Sequence, residues 1–294
     1  MHIAFHIGAN CTDDDRLLKS VLSDAAPLLQ QGVSVPGPSK YRRLIREAIQ
    51  ALDGARPAPG SRDVLMDAIL EDDAAERIVM SNDNFIAVPK RIFDHGVFYP
   101  QAEAKVSGLR HLFPDDQISL YLALRHPISF LQDVFQRSEA GSLEAYLGVL
   151  NPADLLWSDV VKRVRQAAPS VPLTIWCNED TPLIWEDIVR AITGQGGDFT
   201  PAGRFDLLKD LLPATTFDGL IKNLAGTDPE DVHARQHLIA DALESLDDDA
   251  LPEDEINLPG VDDDVIAQAS EAYESDVAVI SEMDGLTVIR PFGD

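Results

Sequence analysis

His6-Ile7-Gly8-Ala9-Asn10-Cys11-Thr12-Asp13-Asp14-Asp15-Arg16 is the stretch on which the reading of this chain turns. A short apolar run, residues 2–7, leads into it. After it, Leu17, Leu18, Val21, Leu22, Leu28 and Leu29 recur at helical spacing along one face, and Gly32 supplies a stop. The stretch is therefore read as the bend between a strand and the helix that it feeds. Pro27 breaks that helical segment in two, with Ser23 or Asp24 as the cap of the second half. In open parallel sheets, ligands bind outside the carboxyl ends of strands, where helix starts present unpaired N–H groups. The bend is thus the first place to look for a site.

Outward from it, residues 77–80, 118–124 and 172–176 are further apolar runs, too short for helices and followed by polar or turn residues. Segments with helical spacing lie between them, at about 41–52, 62–70, 101–112, 129–137 and 153–166. Strands separated by helices predict an α/β fold: a mainly parallel sheet flanked by helices on both faces. The second half reads as helical from about 185 to 246. An acidic, proline-containing connector follows at about 247–264, then a helix over 265–273. Residues 286–289 are expected to form a late edge strand or an arm onto a partner. The 294 residues are read as one domain with no internal repeat.

Charge narrows the function classes. Fifty acidic against 24 basic residues give a net charge of −26. A field of that sign repels phosphate backbones and anionic lipid heads, so neither nucleic acid nor a membrane surface is an expected partner. Most of the carboxylates are read as serving solubility. Cys11 and Cys177 stand far apart in no metal-type spacing, which suits a reduced, cytoplasmic interior. The first ten residues lack a basic segment followed by a long apolar one, so no signal peptide is expected. No apolar run approaches the ~20 residues of a membrane span.

A strand ending in His6-Ile7-Gly8-Ala9 and passing directly into a helix resembles the opening of bacterial sulfotransferases, a P-loop family. The family's turn reads Pro-Lys-Thr/Ser-Gly-Thr-Thr/Ser, and its Lys and hydroxyls hold the 5′-phosphosulfate of 3′-phosphoadenylyl sulfate. Here Asn10 to Asp15 occupy that stretch, without the Lys, the second Gly or the paired hydroxyls. Those residues suit an empty helix end: Thr12 as cap, Asp15 reaching back toward its N–H, Asp13 and Asp14 complementing the dipole. Arg125-His126-Pro127 at the end of a strand resembles the family's Arg-x-Pro, whose Arg and a Ser eight residues later hold the donor's 3′-phosphate. Asp133 stands at the Ser position. Ile78-Val79-Met80-Ser81-Asn82-Asp83 resembles the family's strand ending in Ser-Ser/Asn-Glu, with Asp83 in the Glu position. Tyr273 and Asp276 echo a late Tyr-x-x-Asp feature.

The resemblance implies a P-loop NTPase-like, sulfotransferase-type fold. It places Gly8, Ala9, Asn10, Cys11, Thr12 and Arg125 at the donor and Asp83 as general base toward a hydroxyl of a small-molecule or carbohydrate acceptor. The cofactor implied, where the activity is kept, is 3′-phosphoadenylyl sulfate. Read without the resemblance, Arg125 pairs with a nearby carboxylate, Pro127 starts a helix, and Asp83 caps a turn. Two functions stay open: sulfuryl transfer to a hydroxyl, or a non-catalytic binding or assembly role on the same fold. His233 and His237, four apart with Glu230 and Asp241 nearby, are either a solvated helix face or metal ligands, and Asp13 to Asp15 are weighed for a divalent cation. Trp157, Trp176 and Trp185 are expected to be packing residues.

Overall fold

The computed structural model describes residues 1–70, 75–229, 231–246 and 256–293. β1 (His2–His6) feeds α1 (Arg16–Ser23) and α2 (Ala25–Gln30), which lead to β2 (Val33–Ser34). α3 (Pro38–Leu52) and α4 (Ser61–Ile69) precede β3 (Arg77–Ser81). α5 (Ala102–Leu112) then leads to β4 (Gln117–Leu124). α6 (Pro127–Ser138), α7 (Leu143–Leu147) and α8 (Trp157–Ala167) bring the chain to β5 (Leu173–Cys177). α9 (Thr181–Thr193), α10 (Asp206–Leu211), α11 (Ala214–Ala225), α12 (Val232–Glu244) and α13 (Asp263–Ser281) come before β6 (Leu286–Val288).

The strands form one sheet in the order β2-β3-β1-β4-β5-β6, and each neighbouring pair is parallel. The fold is α/β, a parallel sheet flanked by helices, as the alternation of short apolar runs and helical segments predicts. Both faces are covered, so the strands read as near-continuous apolar runs. In β1, Ile3 and Phe5 face the side packed by α3, α5, α6 and α8, while Ala4 faces the side packed by α1 and α9. His6 stands opposite Ser81 on β3 and Tyr121 on β4. The chain leaves β1 toward one edge, over one face, and returns from β2 over the other. The reversal places the crevice of the sheet between the carboxyl ends of β1 and β4.

Several local expectations are corrected. β2 has two residues, too few to leave an apolar signal. The helix expected from residue 153 begins at Trp157, because residues 152–154 form a 3-10 turn. Ser23 and Asp24 do not cap α2 through their side chains: Asp24 Oδ2 instead accepts from the Ala202 N–H at 2.9 Å. α13 runs on to Ser281 because its apolar positions meet the core through Tyr273 and Ile280. The acidic connector is read from residues 247–264, of which 247–255 lie outside the described residues. Within the remainder Leu258 is buried in the core, and α13 starts at Asp263. Residues 286–288 do pair as an edge strand, parallel to β5. Among the described residues no helix is long and apolar enough to cross a membrane.

Candidate functional site

The bend after β1 sits at the crevice, and its conformation follows from close packing. Gly8 has φ +117°, and a Cβ there would fall 3.1 Å from the Asp83 carbonyl oxygen, so the position needs glycine. The ladder to β4 continues past the end of the strand. Ala9 N–H donates to the Ala123 carbonyl at 3.1 Å, and Ala123 N–H donates to the Gly8 carbonyl at 2.8 Å.

Asn10 is fully buried and holds the bend from inside. Its N–H donates to Tyr99 Oη at 3.2 Å, and the Tyr99 hydroxyl donates to Asn10 Oδ1 at 2.6 Å. Its Nδ2 donates to Asn84 Oδ1 and to the Ala87 carbonyl, both at 3.2 Å. Thr12 Oγ1 donates to the Ala9 carbonyl at 2.8 Å. Burial raises the Tyr99 phenol well above its ordinary pKa, so it stays a neutral donor.

The capping box expected of Thr12 and Asp15 does not form. Asp15 precedes α1 in the left-handed region at φ 63°, and its side chain makes no capping bond. The Leu17 N–H is taken by Asp13 Oδ2 at 3.0 Å. Asp15 turns toward α3, where Arg42 Nη2 and Nη1 donate to its two oxygens at 2.5 and 3.0 Å. Arg42 Nε also donates to the Ser81 carbonyl at 3.0 Å, tying the bend to the end of β3. The Arg42 guanidinium holds the Asp15 carboxyl below the usual range. Asp14 pairs with Arg137 at 2.8 Å near the surface.

At the end of β4, Arg125 Nη1 donates to the Cys11 carbonyl at 2.6 Å and to Asp133 Oδ2 at 2.5 Å. Pro127 occupies the first turn of α6, which presents Asp133 to the arginine. Trp157 Nε1 donates to the Arg125 carbonyl at 2.8 Å and fixes the strand end from the opposite side. The other two tryptophans are also buried.

Asp83, half-buried beyond β3, accepts from Asn84 Nδ2 at 2.6 Å. Burial, with the negative Asp13 and Asp15 nearby, pushes its carboxyl up to about 6. A carboxylate with that pKa is suited to accepting a proton near neutral pH. The thiols are not: burial pushes Cys11 up to about 12 and Cys177 up to about 11.

An open cleft of about 400 Å³ lies between the bend and the second-half helices, lined among others by Thr12, Asp13, Asp14, Arg125, Asp133 and Glu179. Sequence reasoning missed Glu179. Its Oε1 accepts from the His126 N–H at 2.7 Å and its Oε2 from the Tyr273 hydroxyl at 3.0 Å, which places Tyr273 at the rim. Asp276, the other half of the late motif, instead caps α8 by accepting from the Ser158 N–H at 2.9 Å. Tyr99, Asn84 and Arg42 were also missed, since each reaches the bend from elements distant in sequence.

The bend and Arg125 line this cleft, whereas Asp83 does not: it meets the bend from the β3 side, with its backbone packed on Gly8. His233 and His237 lie apart from the cleft: His237 packs at a tilt against Phe292 with ring centroids 4.6 Å apart, and His233 Nε2 meets the Gly293 carbonyl at 3.3 Å. Glu230 is outside the described residues. Among the described residues no group of three or more His, Cys, Asp or Glu side chains is arranged to hold a metal ion.

No protein-family model and no curated protein matches the chain. Among solved structures the chain is similar to a sulfotransferase from Alicyclobacillus acidocaldarius, at 15% identity, over 81% of this chain and 95% of that one, with a TM-score of 0.42.

Proposed function

We propose that this chain is a non-catalytic binding or assembly protein built on a sulfotransferase-like scaffold whose donor site is closed by its own side chains. The observation that carries the reading is the pairing of Arg125 with Asp133 at 2.5 Å. Asp133 puts a fixed carboxylate where the resemblance expects a hydroxyl beside the donor's 3′-phosphate. The same closure extends to the bend, where the Ala9 and Asn10 N–H groups are already used within the chain. An incoming phosphate would have to displace these bonds and face Asp13 and Asp14 across the cleft. Like charges about 4 Å apart repel by about 4 kcal/mol at an effective dielectric constant of 20. Calorimetric titration of the pure protein with 3′-phosphoadenosine 5′-phosphate tests the proposal. No heat at millimolar nucleotide is expected, and saturable micromolar binding would overturn it.

The raised pKa of Asp83 favours a second reading, sulfuryl transfer. A hydroxyl acceptor would attack the sulfur of 3′-phosphoadenylyl sulfate and give its proton to Asp83. The bond from sulfur to the phosphate oxygen would break, and 3′-phosphoadenosine 5′-phosphate would leave. Arg125 and the bend from Gly8 to Thr12 would hold the donor, with a small-molecule or carbohydrate acceptor on the Asp83 side. Turnover of labelled donor that is abolished by Asp83→Asn, with folding intact, would establish this reading in place of the first.

A further inference from the structure

A cationic cluster lies against the trend of this acidic chain. Lys40, Arg42, Arg43 and Arg46 fall within seven positions at the start of α3, and no acidic residue precedes Glu47 in that helix. Cations at a helix start oppose the macrodipole, so helix stability does not explain them. Two of the four have evident structural roles: Arg42 holds Asp15 and Ser81, and Arg43 lies 3.7 Å from Glu47.

Arg46 has no such role. α3 packs against α5 so closely that a Cβ on Gly108 would fall 2.7 Å from Ile49 Cγ2. Arg46 is one turn before Ile49 and Lys105 one turn before Gly108, and both helices run back from the carboxyl edge of the sheet. The two cations therefore flank the same helix–helix seam. Arg46 is exposed and Lys105 half-buried, and among the described residues neither makes an ion pair or a side-chain hydrogen bond.

Arg91 closes the third side. Its guanidinium is oriented by Asp94 Oδ2 at 2.7 Å and, with the Gln101 amide turned to present its oxygen, by Gln101 at 3.0 and 3.1 Å. Gln101 in turn accepts from the Lys105 N–H at 2.9 Å. Burial and the positive Arg91 and Arg46 nearby hold the Lys105 ammonium below its ordinary pKa. Asp94 offsets the charge of Arg91, and among the described residues Arg46 and Lys105, which lie near it, pair with no carboxylate of their own.

We propose that Arg46, Arg91 and Lys105 form a binding site for an oxyanion group, with sulfate, phosphate and carboxylate as the chemistries it would accept. The Arg46 guanidinium and the Lys105 ammonium, with Arg91 Nη1, which neither Asp94 nor Gln101 takes, suit a multivalent oxyanion, which would relieve the repulsion between Arg46 and Lys105. The patch borders the crevice through Arg42 but uses none of its groups, so the inference stands independently of how the bend treats a nucleotide.

The test is titration of the full chain at low ionic strength with inorganic sulfate, inorganic phosphate and acetate in separate arms, with chloride as control. The divalent anions should saturate with a Kd on the order of 1 mM, ahead of acetate, and the ranking of the arms identifies the preferred group. The double variant Arg46→Gln/Lys105→Gln should bind at least ~10-fold more weakly with an unchanged melting temperature in the absence of anion. Arg43→Gln removes the same charge one turn away, where low salt screens it little, and should weaken binding by about 5-fold at most, clearly less than the double variant. Absence of saturable binding in the native chain overturns the proposal, as does equal binding by the double variant or an equal loss in Arg43→Gln.

Discussion

Asp133→Ser replaces the carboxylate that pairs with Arg125 by the hydroxyl that the sulfotransferase resemblance expects at that position. The side chains of Arg125 and Asp133 are 12% and 31% exposed, so the pair is largely shielded without being dry. Exposed pairs contribute about 0–1 kcal/mol, and hydrogen bonds to charged groups about 1.5–3. Losing this one should cost about 1–2 kcal/mol, because Arg125 keeps its bond to the Cys11 carbonyl at 2.6 Å. At about 2–4 °C per kcal/mol, the melting temperature should fall by several degrees. The nucleotide should respond in the opposite direction. Removing a carboxylate about 4 Å from the incoming phosphate lifts a repulsion of about 4 kcal/mol, close to three powers of ten in Kd. Asp13, Asp14 and the occupied N–H groups remain, so the net gain should be nearer ~10–100-fold. Thermal unfolding with and without 3′-phosphoadenosine 5′-phosphate reads both quantities. The native chain should not shift, and the less stable variant should be partly restored by nucleotide. A variant as stable as the native chain, or one that gains no response to nucleotide, would refute the idea that Asp133 neutralises Arg125 in place of a phosphate.

Other perturbations probe the rest of the crevice. Tyr99→Phe leaves the buried Asn10 N–H and Oδ1 without their partner and should cost about 2–4 kcal/mol in denaturant unfolding, at about 1–3 per unsatisfied group. Gly8→Ala forces φ +117° on a residue with a Cβ and should destabilise by about 1–3 kcal/mol. Asp83 has a folded pKa of about 6, above the unfolded value, so the folded state binds the extra proton between about pH 4 and 6 and loses stability as pH rises through that window. Asp83→Asn should remove that slope and gain on the order of 2–3 kcal/mol at pH 7, read from unfolding curves collected across pH. Asp15 behaves oppositely, because its folded pKa is depressed. Its pairing with Arg42 stabilises above the unfolded pKa and is lost as pH falls through the folded one. Arg42→Gln should therefore destabilise at neutral pH more than in acid.

The frame was legible in the sequence because the strands are buried on both faces. Runs such as Ile78-Val79-Met80 and Leu120 to Leu124 are continuous in apolar character, and the bend that follows β1 is marked by Gly8 and the aspartates. β2 was not legible, since two residues carry no periodicity and its place is set by pairing with Arg77 and Ile78. The cap was misread for a related reason. Thr12 and Asp15 have the right spacing, but local spacing is blind to Arg42, which arrives from α3 and takes the Asp15 carboxylate. The wall of the site was hidden in the same way. Tyr99 meets Asn10 across 89 positions and Tyr273 meets Glu179 across 94, contacts fixed by topology and not by any local pattern. Arg125 and Asp133 stand eight apart, and it was the family resemblance, not local spacing, that singled out Asp133; their pairing is seen in the structure.

Amide hydrogen exchange at the bend, resolved residue by residue by NMR, bears on the closed site most directly. The Ala9 and Asn10 N–H groups, bonded to Ala123 and Tyr99, should exchange as slowly as the strand interior. Their resonances should stay in place when 3′-phosphoadenosine 5′-phosphate is added. Rapid exchange at both amides, together with resonances that move on addition of the nucleotide, would mean that the bend is an open phosphate cradle.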